Sequence, residues 1–159
     1  MPEDKLFSAM DKAMKLLSRR ALSAAELAKK LLQAQFPQDE VEFAVNECKR
    51  RRFIDDELLA ADYVELLRQR NTGSRMIRQK LIRRGLKEQL AEGIPEEDTN
   101  DAEINAARRA LDYKWRLLSR ESDPRKKREK AFRFMAGRGF APGIIFKALD
   151  EISQAENDF

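Results

Sequence analysis

Histidine is absent from this chain of 159 residues. Its absence removes the Ser-His and Cys-His catalytic pairs and every His-ligated zinc, iron or copper site. The single cysteine, Cys48, cannot form an internal disulfide or a thiolate metal cage, and a reducing, cytoplasmic setting is the simpler expectation. Gly and Pro are few, six and five, and β-branched residues are scarce, so helices are favoured over strands. No apolar run approaches the roughly 18 residues of a membrane span. The start, Met1-Pro2-Glu3-Asp4-Lys5, lacks the order of a secretory signal. No Gly-rich phosphate loop, carboxylate pair or nucleophile motif occurs. No cofactor, no metal and no enzymatic activity are therefore expected.

What the chain has is charge. Asp, Glu, Lys and Arg make up 38% of it, against about 25% in ordinary soluble domains. Thirty-two bases face 28 acids, for a net +4 and a pI near 9.3. The apolar share, 42%, still suffices for a core.

Helical spacing runs through the whole length. Leu6, Phe7, Met10, Met14 and Leu17 form a first stripe. Ser23-Ala24-Ala25-Glu26 is a capping box that opens a second helix carrying Leu27, Leu31 and Leu32, which Phe36-Pro37 should end. Val41, Ala44, Val45 and Cys48 line a third, ending near Arg52-Phe53; Cys48 there reads as a buried structural thiol. Asp55 can cap a fourth helix, with Asp56 and Glu57 in its first turn and Leu59, Tyr63 and Leu66 as its stripe. That capping role explains the three acids better than a metal site. Asn71-Thr72-Gly73-Ser74 is a turn, with Ser74 as the expected N-cap. Met76, Ile77 and Leu81 follow, with Gly85 just past the helix end. Leu86, Leu90 and Ile94 suggest a short helix cut by Gly93 and Pro95, and 95–101 reads as a solvated linker. Ile104, Ala107, Leu111, Trp115 and Leu118 mark a long helix, with Trp115 packing in the core. Asp123-Pro124 starts the next, with Phe132 and Met135 inward and Gly139 at its end. Ala141-Pro142 opens a last helix on Ile145, Ala148, Leu149 and Ile152. The polar tail from Gln154 to Phe159 should fray.

These segments repeat. Residues 27–36 align without gaps on 77–86, and more weakly on 131–140. Each unit is a longer helix, a short helix closing on a large apolar residue, and a third helix. The expected fold is all-α, with tandem three-helix units stacked into an elongated, curved array. The expected divisions are 1–60 (an N-terminal helix plus the first unit), 61–97 (the second) and 98–159 (the third with a short acidic tail).

Charge follows the repeat. Residues 63–90 hold eight bases and two acids, 121–149 hold eight and three, and 150–159 hold four acids and no base. Three basic clusters stand out. They are Lys49-Arg50-Arg51, continued by Arg52; the group Arg75, Arg78, Lys80, Arg83 and Arg84; and Arg125-Lys126-Lys127-Arg128. Either they only solubilise a helix face, or they meet an anionic partner, a phosphate backbone or an acidic protein groove.

The junction Arg52-Phe53-Ile54-Asp55-Asp56-Glu57-Leu58-Leu59-Ala60 resembles the aromatic, aliphatic, Asp-Asp signature of RecX proteins, regulators of the RecA recombinase. Residues 73–86 resemble that family's most recognisable stretch. Ser23 to Leu27 and Arg133 to Phe140 are similar to two further segments, in the family's order, and the similarity covers roughly 12–150. The family often has Gly where this chain has Arg52 and an aromatic where it has Leu59, and Gly93 and Pro95 interrupt the second unit. The resemblance implies a monomer without chemistry of its own. Such a protein binds the RecA filament on single-stranded DNA and limits strand exchange and ATP hydrolysis, in homologous recombination, DNA repair and the SOS response. It also implies at most weak, nonspecific contact with free DNA. The three clusters are then the candidate filament contacts. The alternatives are a helical protein that acts on DNA directly through those clusters, and a helical scaffold.

Overall fold

Ala, Leu, Lys, Arg and Glu lose little rotamer freedom in a helix, and the described residues are mostly helical. A computed structural model describes residues 2–86, 90 and 101–159, with side chains from Ala9 onward. Among the described residues stand eight helices and no strand. They are α1 (Pro2–Arg19), α2 (Ala24–Gln33), α3 (Gln38–Arg50), α4 (Asp56–Gln69), α5 (Ser74–Arg83), α6 (Asp101–Leu117), α7 (Pro124–Gly137) and α8 (Pro142–Asn157). The side chains of Leu6 and Phe7 lie outside the described residues. So do the helix expected around Ile94 and all but Asp101 of the expected linker. Contacts divide the chain into two units, 1–63 with 81–90, and 64–80 with 91–159.

In the first unit α1, α2 and α3 pack on one another around Leu22, Leu27, Leu31, Val41, Ala44, Val45, Cys48 and Ile54. Ala9 and Ala13, fully buried, form the inner stripe of α1. Met14 and Leu32, expected inside, are 40% and 45% exposed. Each follows directly on a buried residue, Ala13 or Leu31, and so points about 100° around the helix from it.

In the second unit α6, α7 and α8 enclose Ile104, Ala107, Leu111, Ala131, Met135, Phe140, Ile145, Ala148 and Leu149. Trp115, Leu118, Phe132 and Ile152 pack against its edge. The tail does not fray as expected, since α8 continues to Asn157. Glu156 in its last turn accepts the Trp115 indole N–H at 2.6 Å and lies 3.5 Å from Lys127, which ties the polar end down. In α4 the buried positions are Ala60 and Leu67, with Leu66 exposed.

Five helices end by one device. Gln35, Arg52, Asn71, Gly85 and Gly139 have φ of +69°, +59°, +55°, +70° and +91°. Each donates its N–H three residues back, and the next residue donates five back: Phe36 to Leu31, Phe53 to Cys48, Thr72 to Leu67, Leu86 to Leu81 and Phe140 to Met135. This left-handed stop satisfies the orphan carbonyls of the last turn. All five accepting residues are buried. It also ends α2 at Gln33, ahead of Phe36-Pro37. The stops of α2, α5 and α7 fall at aligned positions of the repeat, and α2 and α5 share their bounds 50 residues apart.

Helix starts are closed as deliberately. Ser23 forms the expected capping box with Glu26. Asp55 accepts the Leu58 N–H, and Asp123 accepts that of Arg125 ahead of Pro124. Ser74 is not the cap of α5 but its first residue, and its hydroxyl donates to Glu103 at 2.7 Å. The cap is Glu103 itself, whose carboxylate takes the Ser74 N–H at 2.9 Å. At the aligned position in α2, the Ala24 N–H is taken by Asp56 at 2.9 Å.

The same starts meet a stop. Ser23 Oγ donates to the Arg84 carbonyl at 2.5 Å, and a Cβ on Gly85 would come within 2.5 Å of Ala25 Cβ. In the second unit Gly73 donates to the Arg138 carbonyl at 2.8 Å and Arg75 to that of Gly139 at 3.1 Å. A Cβ on Gly73 would fall 2.3 Å from the Gly139 backbone.

Left-handed backbone costs a residue with a Cβ roughly 1–2 kcal/mol. Arg52→Gly should therefore raise unfolding free energy by about 1 kcal/mol in urea denaturation. Gly85→Ala, which adds both strain and a collision, should lower it by at least about 2 kcal/mol.

Candidate functional site

The basic clusters divide into cations held by the chain's own groups and cations left to solvent. Arg84, which follows α5, belongs to the first kind. It donates to Glu26 at 2.9 Å and to the Ala21 carbonyl at 3.2 Å, and its guanidinium lies 4.9 Å from the Tyr63 ring centroid. Burial raises the Glu26 pKa, but the Ser23 N–H and the Arg84 guanidinium outweigh it and leave the carboxyl below its ordinary 4.5. Arg84 therefore joins the two ends of this unit's interlock.

Along α5, Arg75 and Arg83 are exposed and Arg78 and Lys80 half-buried. Arg75, Lys80 and Arg83 make no ion pair among the described residues. The helix carries no acid in its first turn.

In α3, Glu47 neutralises much of its cluster. Arg50 grips it with two nitrogens, at 3.1 and 2.5 Å, and Arg51 adds a third bond at 2.7 Å. Lys49 is exposed and shares an open cleft with Arg52, Ile54, Asp55, Asp56, Glu57 and Leu90, where acids outnumber bases. Cys48 is free, buried and 4.0 Å from the Met10 sulfur, and burial pushes its thiol pKa up. That is the inert thiol expected of a core position.

In α7, Arg128 pairs with Asp150 at 2.7 Å. Lys127 lies over the Trp115 ring at 4.1 Å. Arg125 and Lys126 are exposed and form no ion pair among the described residues.

Other charged residues have structural roles that sequence spacing did not reveal. Glu103 is 3% exposed and holds Arg68 as well as Ser74. Arg138 donates to the Arg70 and Asn71 carbonyls, and Arg109 to the Asn71 side chain at 2.8 Å. Arg108 is bidentate on Glu151. No local signal could have found these pairs, since the partners lie far apart in the chain. Phe146, by contrast, falls one residue off the buried stripe of α8, next to Ile145. Its 49% exposure was therefore legible. No group of acids or Cys among the described residues could hold a metal, and no described helix is long and apolar enough to cross a membrane.

Comparison with known proteins completes the picture. Residues 9–48 match the family profile of the RecX first three-helix domain, and 101–149 that of the RecX third three-helix domain. The regulatory protein RecX of Legionella pneumophila strain Corby is 31% identical over 92% of this chain and 96% of its own. The regulatory protein RecX of Thermus thermophilus is 31% identical over 92% of each. The crystal structure of RecX from Lactobacillus salivarius matches the fold with a TM-score of 0.83 at 20% identity, over 96% of this chain and 99% of that one.

The grip on Glu47 has a measurable sign. The bonds from Arg50 and Arg51 hold its carboxyl down to about 2. A depressed carboxyl adds stability above its unfolded pKa of 4.5 and loses it as pH falls toward the folded value. Carboxyl NMR should find Glu47 titrating near 2, and Arg50→Gln with Arg51→Gln should return the midpoint toward 4.5.

Proposed function

The chain belongs to the RecX family of regulatory proteins, and from that premise we propose that it binds the RecA nucleoprotein filament and restrains recombination and ATP hydrolysis without chemistry of its own. Family membership over 92% of the chain carries this reading. It is supported by a charge-rich helical fold with exposed cations that form no ion pair among the described residues. The proposed organisation remains three three-helix units divided at 1–60, 61–97 and 98–159, working as a cytoplasmic monomer.

The contact is assigned first to the cations that form no ion pair among the described residues: Arg75, Lys80 and Arg83 of α5, and Arg125 and Lys126 of α7. Lys49, and Arg78, which has an interaction within the chain, follow as further helix-surface bases. Arg84, Arg50, Arg51, Lys127 and Arg128 contribute less, because a partner would first have to displace Glu26, Glu47, Glu156 or Asp150. A charge already paired has spent most of its attraction, and exchanging one carboxylate for another gains little.

Titrating the protein into RecA assembled on single-stranded DNA should lower ATPase and strand exchange at substoichiometric amounts; no effect on either would refute the reading. Arg75→Glu with Lys80→Glu should weaken inhibition by at least about tenfold while helical content stays intact. Arg84→Ala should instead lower thermal stability, by about 1–2 kcal/mol. Tight, sequence-dependent binding to free duplex with a steep salt slope would favour a protein that acts on DNA directly.

A further inference from the structure

The first turns of α7 face α8 across a groove of about 320 Å³ lined by Arg125, Arg128, Glu129, Phe132, Phe146 and Leu149. Its wall is aromatic. The Phe132 and Phe146 rings lie 5.2 Å apart between centroids and tilt 37° to each other. Leu149, fully buried, forms the floor. Phe146 leaves half its surface in water, although it already packs on a ring, and apolar surface in that position gains by being covered. The rim is basic. Arg125 is unpaired among the described residues, and Arg128 is held by Asp150.

We propose that this groove docks a short acidic peptide segment, which inserts one aromatic or branched aliphatic side chain beside Phe132 and Phe146 and turns its carboxylates toward Arg125, the rim cation that forms no ion pair among the described residues. The fit is one of charge and shape together. An apolar anchor matches the wall and floor, and flanking acids match the cations next to it. A nucleic-acid strand fits less well. The two rings are packed against each other and leave no slot for a base between them. Evenly spaced phosphates would also meet Glu129 and Asp150, whereas a peptide can place its acids on either side of the anchor.

The groove lies within one unit, and docking there depends on no recombinase. The test is a fluorescence-anisotropy titration of the whole chain against a short labelled peptide of Asp and Glu around a central Phe-Leu pair. The controls are the same peptide with Ser-Ser at its centre and an oligothymidylate of equal charge. The Phe-Leu peptide should bind at least about tenfold more tightly than the Ser-Ser peptide, since one apolar anchor is buried. Phe146→Ser should erase that preference with circular dichroism unchanged. Arg125→Glu should weaken both acidic peptides severalfold. Trp115, the sole tryptophan, lies under Lys127 of the same helix bundle and gives a label-free second signal.

Equal affinity for the two peptides, or no binding of either, would overturn the proposal. So would an oligothymidylate that binds more tightly than the Phe-Leu peptide and loses that binding in Phe146→Ser. Because RecA is absent throughout, none of these outcomes bears on inhibition of the filament.

Discussion

At two of the five left-handed stops, Gly85 and Gly139, another helix of the same unit begins, and the packing there follows from that double use. A helix stop with positive φ turns its last carbonyls toward one point. At Arg84–Gly85 that point holds the start of α2, and at Arg138–Gly139 the start of α5. The orphan N–H groups of one helix and the orphan carbonyls of another thus satisfy each other or share a hydroxyl. The approach is possible only because side chains are missing where backbones meet, at Gly85 in one unit and at Gly73 and Gly139 in the other. At Gln35, Arg52 and Asn71 a residue with a Cβ occupies the same conformation and bears its cost.

The two junctures are completed by acids from the helices that follow. Asp56 opens α4 and reaches the Ala24 N–H, and Glu103 in the first turn of α6 reaches that of Ser74. A carboxylate at a helix start faces the positive end of the helix dipole, and each of these serves two such ends, its own helix and the one it caps. Glu103 is almost wholly buried, and the penalty for that charge is offset by Arg68, the Ser74 hydroxyl and a backbone N–H together. Removing one partner would leave the others buried and unmatched, so the cluster acts as a unit.

Helix type and repeat were legible in the sequence because both rest on local order: apolar spacing, capping residues, and aligned segments 50 residues apart. The Ser23 box, the Asp123-Pro124 start and the Gly85 and Gly139 stops are local in the same sense. What failed needed knowledge of neighbours. Spacing alone placed Met14, Leu32 and Leu66 inside, yet the buried faces are centred on Ala9, Ala13, Leu31, Ala60 and Leu67. The small alanines carry little hydropathic signal but permit close helix packing. Ser74 looked like a cap because its type and position were right. Its actual partner, Glu103, stands 29 residues away. The polar tail looked loose because nothing within it showed Trp115 waiting for Glu156.

The binding surface was the least legible part, for a physical reason. A run of bases in a sequence counts charges, but a partner meets the field that remains after the chain's own carboxylates have acted. Arg50 and Arg51 appear as two cations and share one anion. Arg84, inside the most basic segment, belongs to a helix junction. Lys127 and Arg128 are held by the face of α8 and by the acids of the tail that seemed its counterweight. The acidic tail is therefore no separate block, because Asp150, Glu151 and Glu156 are each already matched to a base or an indole N–H. What survives this cancellation among the described residues is narrow: Arg75, Lys80 and Arg83 along α5, and Arg125 and Lys126 at the start of α7, where Arg125 stands beside half-exposed aromatic surface. Uncompensated positive charge is concentrated where acids are missing, rather than where bases are most dense.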